Sequence, residues 1–245
     1  MYDLHCHILP GMDDGARNAD VSRALLERER ADGVKGVVFT PHFYAERESA
    51  ERFLRRREAA AQAAAPLCET VGMRWRVGAE VAYTPFLADM EPERFAFSGT
   101  PYLLLELPFL FEPPDVEGLI ARLVSGGLTP ILAHIERYSY IAEDPARLYR
   151  WVRSGALAQV NASWLLESRQ SVRCVRQLDR WGLVHLAASD THSEHRRPPE
   201  LAAGLGCLPD ALADRLRRNA AAVFAGEPLS LPEPTEPVQR FGRWK

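Results

Sequence analysis

The chain has 245 residues, 47% of them hydrophobic and 26% charged, with a formal net charge of −3. This is the composition of a soluble globular protein, and it excludes a disordered, collagen-like or coiled-coil chain. It also supplies no bulk attraction for nucleic acid or an anionic membrane, so neither is expected as a partner.

The first strand is expected at 2–7 (YDLHCH), then a helix over 19–32, a strand at 36–40 and a helix over 47–65. Strands follow at 74–80 and 102–107, a helix at 115–126, a strand at 130–134 and a helix at 145–154. The series closes with a strand at 157–161, a helix at 168–181 and a strand at 184–189. Asp20, Ser49 and Asp115 stand near the helix starts; Gly33, Gly72, Gly126, Gly155 and Gly182 stand near the ends. Apolar strands alternating with helices predict a parallel α/β architecture, open or closed into a barrel. No internal repeat or linker divides the chain, so one domain is expected over 1–225, with a Pro-rich extended tail over 226–245.

Four cysteines (Cys6, Cys68, Cys174, Cys207) lie far apart without a CxxC pair, which predicts neither a disulfide framework nor a zinc ribbon. The N-terminus carries no signal-peptide pattern. The most apolar window, 101–111, contains Glu106 and is too short to cross a bilayer. A cytoplasmic protein without membrane insertion is expected.

Groups able to bind metal gather at the predicted strand ends. His5 and His7 are two apart and share one face of the first strand, with Cys6 on the other. His42 follows the second strand, Glu80 ends the third, Glu106 the fourth and His134 the fifth; Asp190 and His192 follow the seventh. In an α/β barrel these ends converge on one rim. A lone strand histidine is ordinarily a core residue, but five histidines and three carboxylates at one rim predict a metal site. Imidazole mixed with carboxylate suits Zn, Mn or Fe. His185 falls out of phase with Asp190 and is expected to be structural. His195 lies in a polar loop and the run Arg55 to Arg57 on a solvated helix face.

The segments HCHILPGMDDG, TPH, GAE, LLLELPF, AHIERY and ASDTHSEHRRPP resemble the motifs of the PHP (polymerase and histidinol phosphatase) superfamily. Within it they are similar to the CpsB/YwqE-type bacterial tyrosine-protein phosphatases of capsule and exopolysaccharide loci. The resemblance runs from residue 1 to about 225 and departs at Ile135, where Pro is usual, and at Phe43. It implies a distorted seven-stranded TIM-like (β/α)7 barrel with three divalent metal ions at the C-terminal rim, foremost Mn²⁺, with Fe or Zn also suited. His5, His7, Glu80 and Asp190 would hold the first ion. Glu80, Glu106 and His134 would hold the second, and Asp14, His42 and His192 the third. From the residues alone, Asp14 and Asp13 are indistinguishable. The resemblance also implies a phosphotyrosine-containing protein as partner, in the first place a bacterial tyrosine autokinase.

These residue types suit phosphate-ester hydrolysis. Three divalent ions against Asp14, Glu80, Glu106, Asp190 and a bridging hydroxide leave a small positive charge for a phosphate dianion. Metal acidifies bound water from a pKa of 15.7 toward about 7. A tyrosyl phenolate, with a pKa near 10, leaves without strong acid help. Arg137 and Arg197 are the candidate phosphate contacts, because a guanidinium offers paired donors that lysine lacks. Gln159 and Asn161 share a face of the sixth strand and are candidates to line the pocket.

Competing functions make different demands. Cysteine phosphatases use C-x5-R, which occurs at Cys68–Arg74 and Cys174–Arg180, but neither sits in the strand–loop–helix context that aims backbone N–H groups at phosphate. An amidohydrolase bridged by a carboxylated lysine is not served by Lys35 or Lys245. A metal-binding scaffold would not need every ligand position filled. A phosphoesterase acting on histidinol phosphate or another small phosphomonoester remains the enzymatic alternative, separable by kcat/KM on a substrate panel.

Overall fold

The computed structural model describes residues 1–240, 243 and 244; the rest of the expected tail (241, 242 and 245) lies outside the described residues. It is an α/β fold with parallel strands, as expected. The strands are β1 (Tyr2–Cys6), β2 (Gly36–Phe39), β3 (His42–Phe43), β4 (Arg74–Val77) and β5 (Glu80–Ala82). They continue as β6 (Tyr102–Glu106), β7 (Thr129–Leu132), β8 (Leu157–Asn161) and β9 (Leu186–Ala188). The helices are α1 (Ala19–Ala31), α2 (Ala50–Val71), α3 (Val116–Ser125), α4 (Ser139–Glu143) and α5 (Ala146–Arg153). Then come α6 (Ala162–Glu167), α7 (Arg169–Arg180), α8 (Leu201–Gly206) and α9 (Asp210–Ala225).

One parallel ladder runs β1-β2-β4 and a second runs β3-β5-β6-β7-β8-β9. Two of the expected strands are each broken into a pair of pieces. The chain steps from β2 to β3 at Thr40–Pro41 and from β4 to β5 at Gly78–Ala79. The break is bridged by the Gly78 amide on the Phe39 carbonyl and the Glu80 amide on the Pro41 carbonyl. His42 and Glu80 therefore begin short strands, paired with each other in register, where His42 was expected to follow a strand and Glu80 to end one. The outer edge of β9 returns to β1 through the Cys6–Thr191 bridge and a bond from the Asp190 amide to the His5 carbonyl.

Strands covered on both faces read as apolar runs, and β6 is buried along its whole length. Leu104 and Leu157 precede Glu106 and Gln159 by two, so they share their faces. With Leu4, Val38, Ile131 and Leu186 they form an apolar cluster closed by Val223 and Phe224 of α9. At the carboxyl ends of β6 and β8 polar side chains, Glu106, Gln159 and Asn161, take over.

Helix starts carry side-chain caps: Asn18, not Asp20, caps α1; Ser49 caps α2; Asp115 caps α3. Gly72 closes α2 in the left-handed conformation, and Gly126 closes α3. Gly33, Gly155 and Gly182 each fall one residue past the cap, which is Asp32, Ser154 and Trp181 respectively. Helix α2 passes through Pro66, where a stop was expected, and runs to Val71. Proline inside a helix forfeits one hydrogen bond. Here Phe53, Ala60, Ala61, Ala64 and Cys68 keep one face buried across the break, and that packing holds the helix together. Beyond α9 the chain stays against the domain: the Thr235 amide donates to the Trp181 carbonyl, and Gln239–Arg240 (β10) pairs antiparallel with Arg243–Trp244 (β11).

Candidate metal centre

The rim brings together all nine predicted ligands. His5 stands at the end of β1 and His7 just beyond it. Their Nε2 atoms are 3.2 Å apart, and each lies within 3.5 Å of a Glu80 and an Asp190 carboxylate oxygen. His134 Nε2 is 2.7 Å from Glu80 Oε1 and 3.5 Å from Glu106 Oε1. His42 Nδ1 is 2.9 Å from Glu80 Oε2. Asp14 Oδ1 lies 3.4 Å from His192 Nε2 and 3.6 Å from His42 Nε2. Four ligand groupings result, centred on His7 with Asp14, His42 and His192; His5 with His7 and Asp190; His5 with Glu80 and His134; and His42 with Glu80 and Glu106.

Local backbone aims these groups. His134 (φ 32°) and Asp190 (φ 55°) both occupy the left-handed region, which costs a non-glycine residue strain of order 1 kcal/mol or more. Asp190 is held there by its neighbours. The Ser189 amide and hydroxyl donate to Asp3, and the Thr191 hydroxyl donates to Glu29 at 3.1 Å. Gly15 packs so closely that a Cβ would stand 2.0 Å from the His7 carbonyl oxygen, so only glycine lets the 10–16 loop reach the cluster.

The loop's two aspartates divide the work. Asp13 is buried, its Oδ2 accepting from His7 Nδ1 at 2.7 Å and from the His42 amide at 3.0 Å. Asp14 is 62% exposed and faces His42 and His192. Gln159 corrects an expectation: it does not open to the pocket. It is buried, and its Oε1 accepts from His5 Nδ1 and the His134 amide. Asn161 does line the cavity and donates to Asp190 Oδ2.

The donor set fits divalent cations. The Nδ1–H groups of His5, His7 and His192 are spent on Gln159, Asp13 and the Asp190 carbonyl, which leaves three Nε2 lone pairs turned inward. The His192 Nε2 and the Glu80 Oε2 atoms are buried without a hydrogen-bond partner. Lone pairs facing one another in a buried site repel unless a cation lies among them.

Without metal, protons serve as those cations. Burial alone would raise the Glu80 carboxyl, but the imidazoles of His5, His134 and His42 hold it well below the usual range. Burial opposes charge on His134, yet Glu106 and Glu80 raise it to about 10. His7 is likewise raised by Asp13 against its burial, while His192, buried and beside His7, falls to about 3. His185 is different: burial and Arg215 lower it to about 4, its Nδ1 accepts from the Ala158 amide, and it is structural.

Two arginines reach the cluster. Arg197 bonds Asp190 Oδ2 (3.4 Å) and Asp14 Oδ2 (3.1 Å). Arg137 lies 3.9 Å from Asp190 Oδ2, its guanidinium 4.2 Å above the Phe109 ring. With Arg196, Asn161 and Trp164 they line a cavity of ≈ 480 Å³ opening beside Asp190. On the other flank the Tyr44 ring lies 5.4 Å from that of His42, tilted by 31°, with Arg47 over the tyrosine.

The family profile described as "Capsular polysaccharide synthesis, CpsB/CapC" matches residues 1–222. The chain belongs to this family. It is 29% identical to the tyrosine-protein phosphatase YwqE of Bacillus subtilis, over 98% of this chain and 97% of that protein. It is 28% identical to the tyrosine-protein phosphatase CpsB of Streptococcus pneumoniae, over 81% and 86% of the two. A crystal structure from the pair YwqE of Bacillus subtilis and CpsB of Streptococcus pneumoniae, described as unique metal-dependent tyrosine phosphatases, matches with a TM-score of 0.88 at 28% identity. That match covers 98% of this chain and 100% of the other.

Neither cysteine motif belongs to the cluster of metal-binding groups. Cys68 is buried in α2 with its thiol pushed up to about 12, and Cys174 lies in α7 away from the rim. His195 is exposed as expected. The arginine run is not a simple solvated face: Arg56 bonds Glu48 and the Met12 carbonyl, and Arg57 holds the Gly78 and Arg94 carbonyls, leaving Arg55 exposed. Sequence reasoning missed Asp3 and Glu29. Asp3 stands two residues before His5, but β1 shifts register between Asp3 and Cys6, and the Asp3 carboxyl turns to Ser189 and Glu29 instead of the rim. Among the described residues no helix is long and apolar enough to cross a membrane.

Proposed function

We propose that this chain is a metal-dependent protein tyrosine phosphatase of capsular or exopolysaccharide synthesis, acting in the cytoplasm on a phosphotyrosine-bearing protein, foremost a tyrosine autokinase. The observation that carries it is the set of inward Nε2 lone pairs of His5, His7 and His192 among Glu80, Asp190 and Asp14, flanked by Arg137 and Arg197. This reading takes the strands as the distorted seven-stranded barrel, counting β2–β3 and β4–β5 as one broken strand each. It also takes residues 1–225 as the catalytic unit and 226–245 as a tail.

His5, His7, Glu80 and Asp190 would hold one ion; Glu80, Glu106 and His134 a second; Asp14, His42 and His192 a third. Mn²⁺ is the first candidate, with Fe and Zn suited to the same donors. Such ions supply acidified water as nucleophile at neutral pH and positive charge for the phosphoryl oxygens.

The chain's own groups do the rest. Gln159, Asp13 and the Asp190 carbonyl keep the protons of His5, His7 and His192 on Nδ1 and orient the three rings. Arg197 and Arg137 offer N–H donors from the cavity side, where a phosphate dianion displaces their contacts with Asp14 and Asp190. Paired guanidinium donors match phosphate edges, and they bind more tightly as charge spreads over the equatorial oxygens. The tyrosyl leaving group departs toward the ≈ 480 Å³ opening. Its oxygen needs little proton donation at a pKa near 10.

The test is hydrolysis of a phosphotyrosine peptide by chelator-stripped protein before and after Mn²⁺. Silence when stripped and activity on re-addition is expected. Turnover unaffected by chelation would overturn the proposal.

A further inference from the structure

The loop from β6 to α3 presents two large apolar side chains to solvent: Leu110 is 86% exposed and Phe111 62%. Beside it, in the loop after β5, Phe86 is 67% exposed. Single exposed apolar residues are ordinary. Here the three most exposed large apolar side chains among the described residues lie on adjacent loops of one rim, the rim of the metal centre.

Their exposure is built in. The loop is fastened on both sides of the pair. The Leu107 amide donates to the Tyr138 hydroxyl, the Tyr140 hydroxyl to the Pro108 carbonyl, and the Ser139 amide to the Phe109 carbonyl. Beyond the pair, Glu112 is paired with Arg147 at 3.2 Å, and the Tyr83 hydroxyl donates to the Pro114 carbonyl. The chain is thus held at 107–109 and again at Glu112 and Pro114, with Leu110 and Phe111 facing solvent between. Arg122 likewise ties the Phe86 loop through the Pro85 carbonyl.

The lip is continuous with the site. Phe109 sits against His134, with ring centroids 5.5 Å apart, and beneath Arg137. Leu110 and Phe111 follow it by one and two residues, about 4 to 7 Å along the chain. An extended peptide whose phosphotyrosine lies at Arg137 advances about 3.3 Å per residue. A peptide running from Arg137 past Phe109 would bring its side chains two or three positions from the phosphotyrosine to this lip.

Resting on the phosphatase reading, we propose that Leu110, Phe111 and Phe86 form a docking lip for apolar side chains flanking the phosphotyrosine of the protein substrate. The lip confers preference for polypeptide over small phosphomonoesters. It contributes to binding and leaves the chemical step to the rim.

The test compares the full chain, Mn²⁺-loaded, with the double variant Leu110→Ser/Phe111→Ser. The probes are a fluorescent phosphotyrosine peptide with leucines at the flanking positions, the same peptide with serines there, and p-nitrophenyl phosphate. The native protein should bind the leucine peptide roughly tenfold more tightly than the serine peptide by anisotropy. In the variant that preference should vanish, with KM on the leucine peptide up roughly tenfold, kcat kept, and p-nitrophenyl phosphate turnover unchanged. Equal binding of the two peptides by native protein overturns the lip, as does an equal loss on all three substrates. So does a change from oligomer to monomer in sedimentation without loss of flank preference, which would make the lip a contact between copies. If neither peptide nor p-nitrophenyl phosphate is hydrolysed, the phosphatase reading fails, while the anisotropy comparison still decides the lip.

Discussion

Two sets of buried carboxyls sit close together in this α/β fold and behave oppositely. Glu80 and Asp190, at the rim, are held well below the usual carboxylate range despite full or nearly full burial. Asp3 and Glu29, on β1 and α1 behind Asp190, are fully buried and pushed up, Glu29 strongly, first by burial and then by Asp3. Burial penalises charge equally in both places; the neighbours decide the outcome. Imidazoles surround the rim pair, whereas hydroxyls and a second acid surround the inner pair. The rim is therefore a cation site, and the inner pair is a hydrogen-bonding frame that keeps a proton and steadies the Ser189–Asp190–Thr191 turn.

Amide substitution breaks the comparison most sharply. Glu80→Gln removes a charge that His5, His42 and His134 share, and metal-dependent turnover of a phosphotyrosine peptide should fall by at least about 10³-fold. His5→Ala and His134→Ala should do the same, while Cys68→Ser and Cys174→Ser stay within about twofold. Loss in the cysteine variants with the histidine variants active would refute the rim as the catalytic centre.

Next in size are the arginines. Arg197→Ala or Arg137→Ala should lower kcat/KM by about 10²- to 10³-fold, and lysine should restore only part, since it lacks the paired donors. Steady-state kinetics on the same peptide reads this.

The protonation of the metal-free rim predicts a pH dependence. His134 is raised to about 10 in the folded protein, against an unfolded value near 6.5. Its stabilising contribution is full below the unfolded value and is lost as pH rises through the folded one. Metal binding must displace this proton, so Mn²⁺ affinity should strengthen with pH, by up to roughly tenfold per unit between about 6.5 and 9. The Tm gain on adding Mn²⁺ should grow accordingly; a gain independent of pH would contradict a protonated resting cluster.

The smallest effect belongs to the inner pair. Glu29→Gln keeps a neutral group that accepts from Thr191 and should cost less than about 1 kcal/mol in denaturant unfolding. Glu29→Ala leaves a cavity and an unpaired hydroxyl and should cost about 2 to 4 kcal/mol, with Mn²⁺ affinity down about tenfold. A large penalty for the amide would show that Glu29 is charged, and would erase the contrast with Glu80.

Much of this was readable in one dimension. The alternation of apolar strands with capped helices, the shared face of His5 and His7, and the chemistry of nine oxygen and nitrogen donors depend on local periodicity and residue type. Those survive in any sequence. The places where reading faltered are places where distant packing overrode a local rule. Helix α2 continues through Pro66 because its buried alanines and Phe53 hold it. Arg56 and Arg57 serve backbone carbonyls of remote loops. Gln159 shares a face with Asn161 on β8, yet it is sealed under His5 and His134 while Asn161 meets the cavity.

What the sequence by itself determined is the inventory: the alternation of strands and helices, the shared face of His5 and His7, and a set of imidazoles and carboxylates gathered at one rim. What only the tertiary structure decided is which proton each group carries. Asp13 and Asp14 are identical in type and adjacent, but one lies buried against His7 and the other faces His42 and His192 from solvent. Glu29 and Glu80 are both buried glutamates, and only the company of cations separates an anion from an acid. Charge state is set by distances of 3 to 4 Å between residues far apart in the chain, and that information exists only after folding.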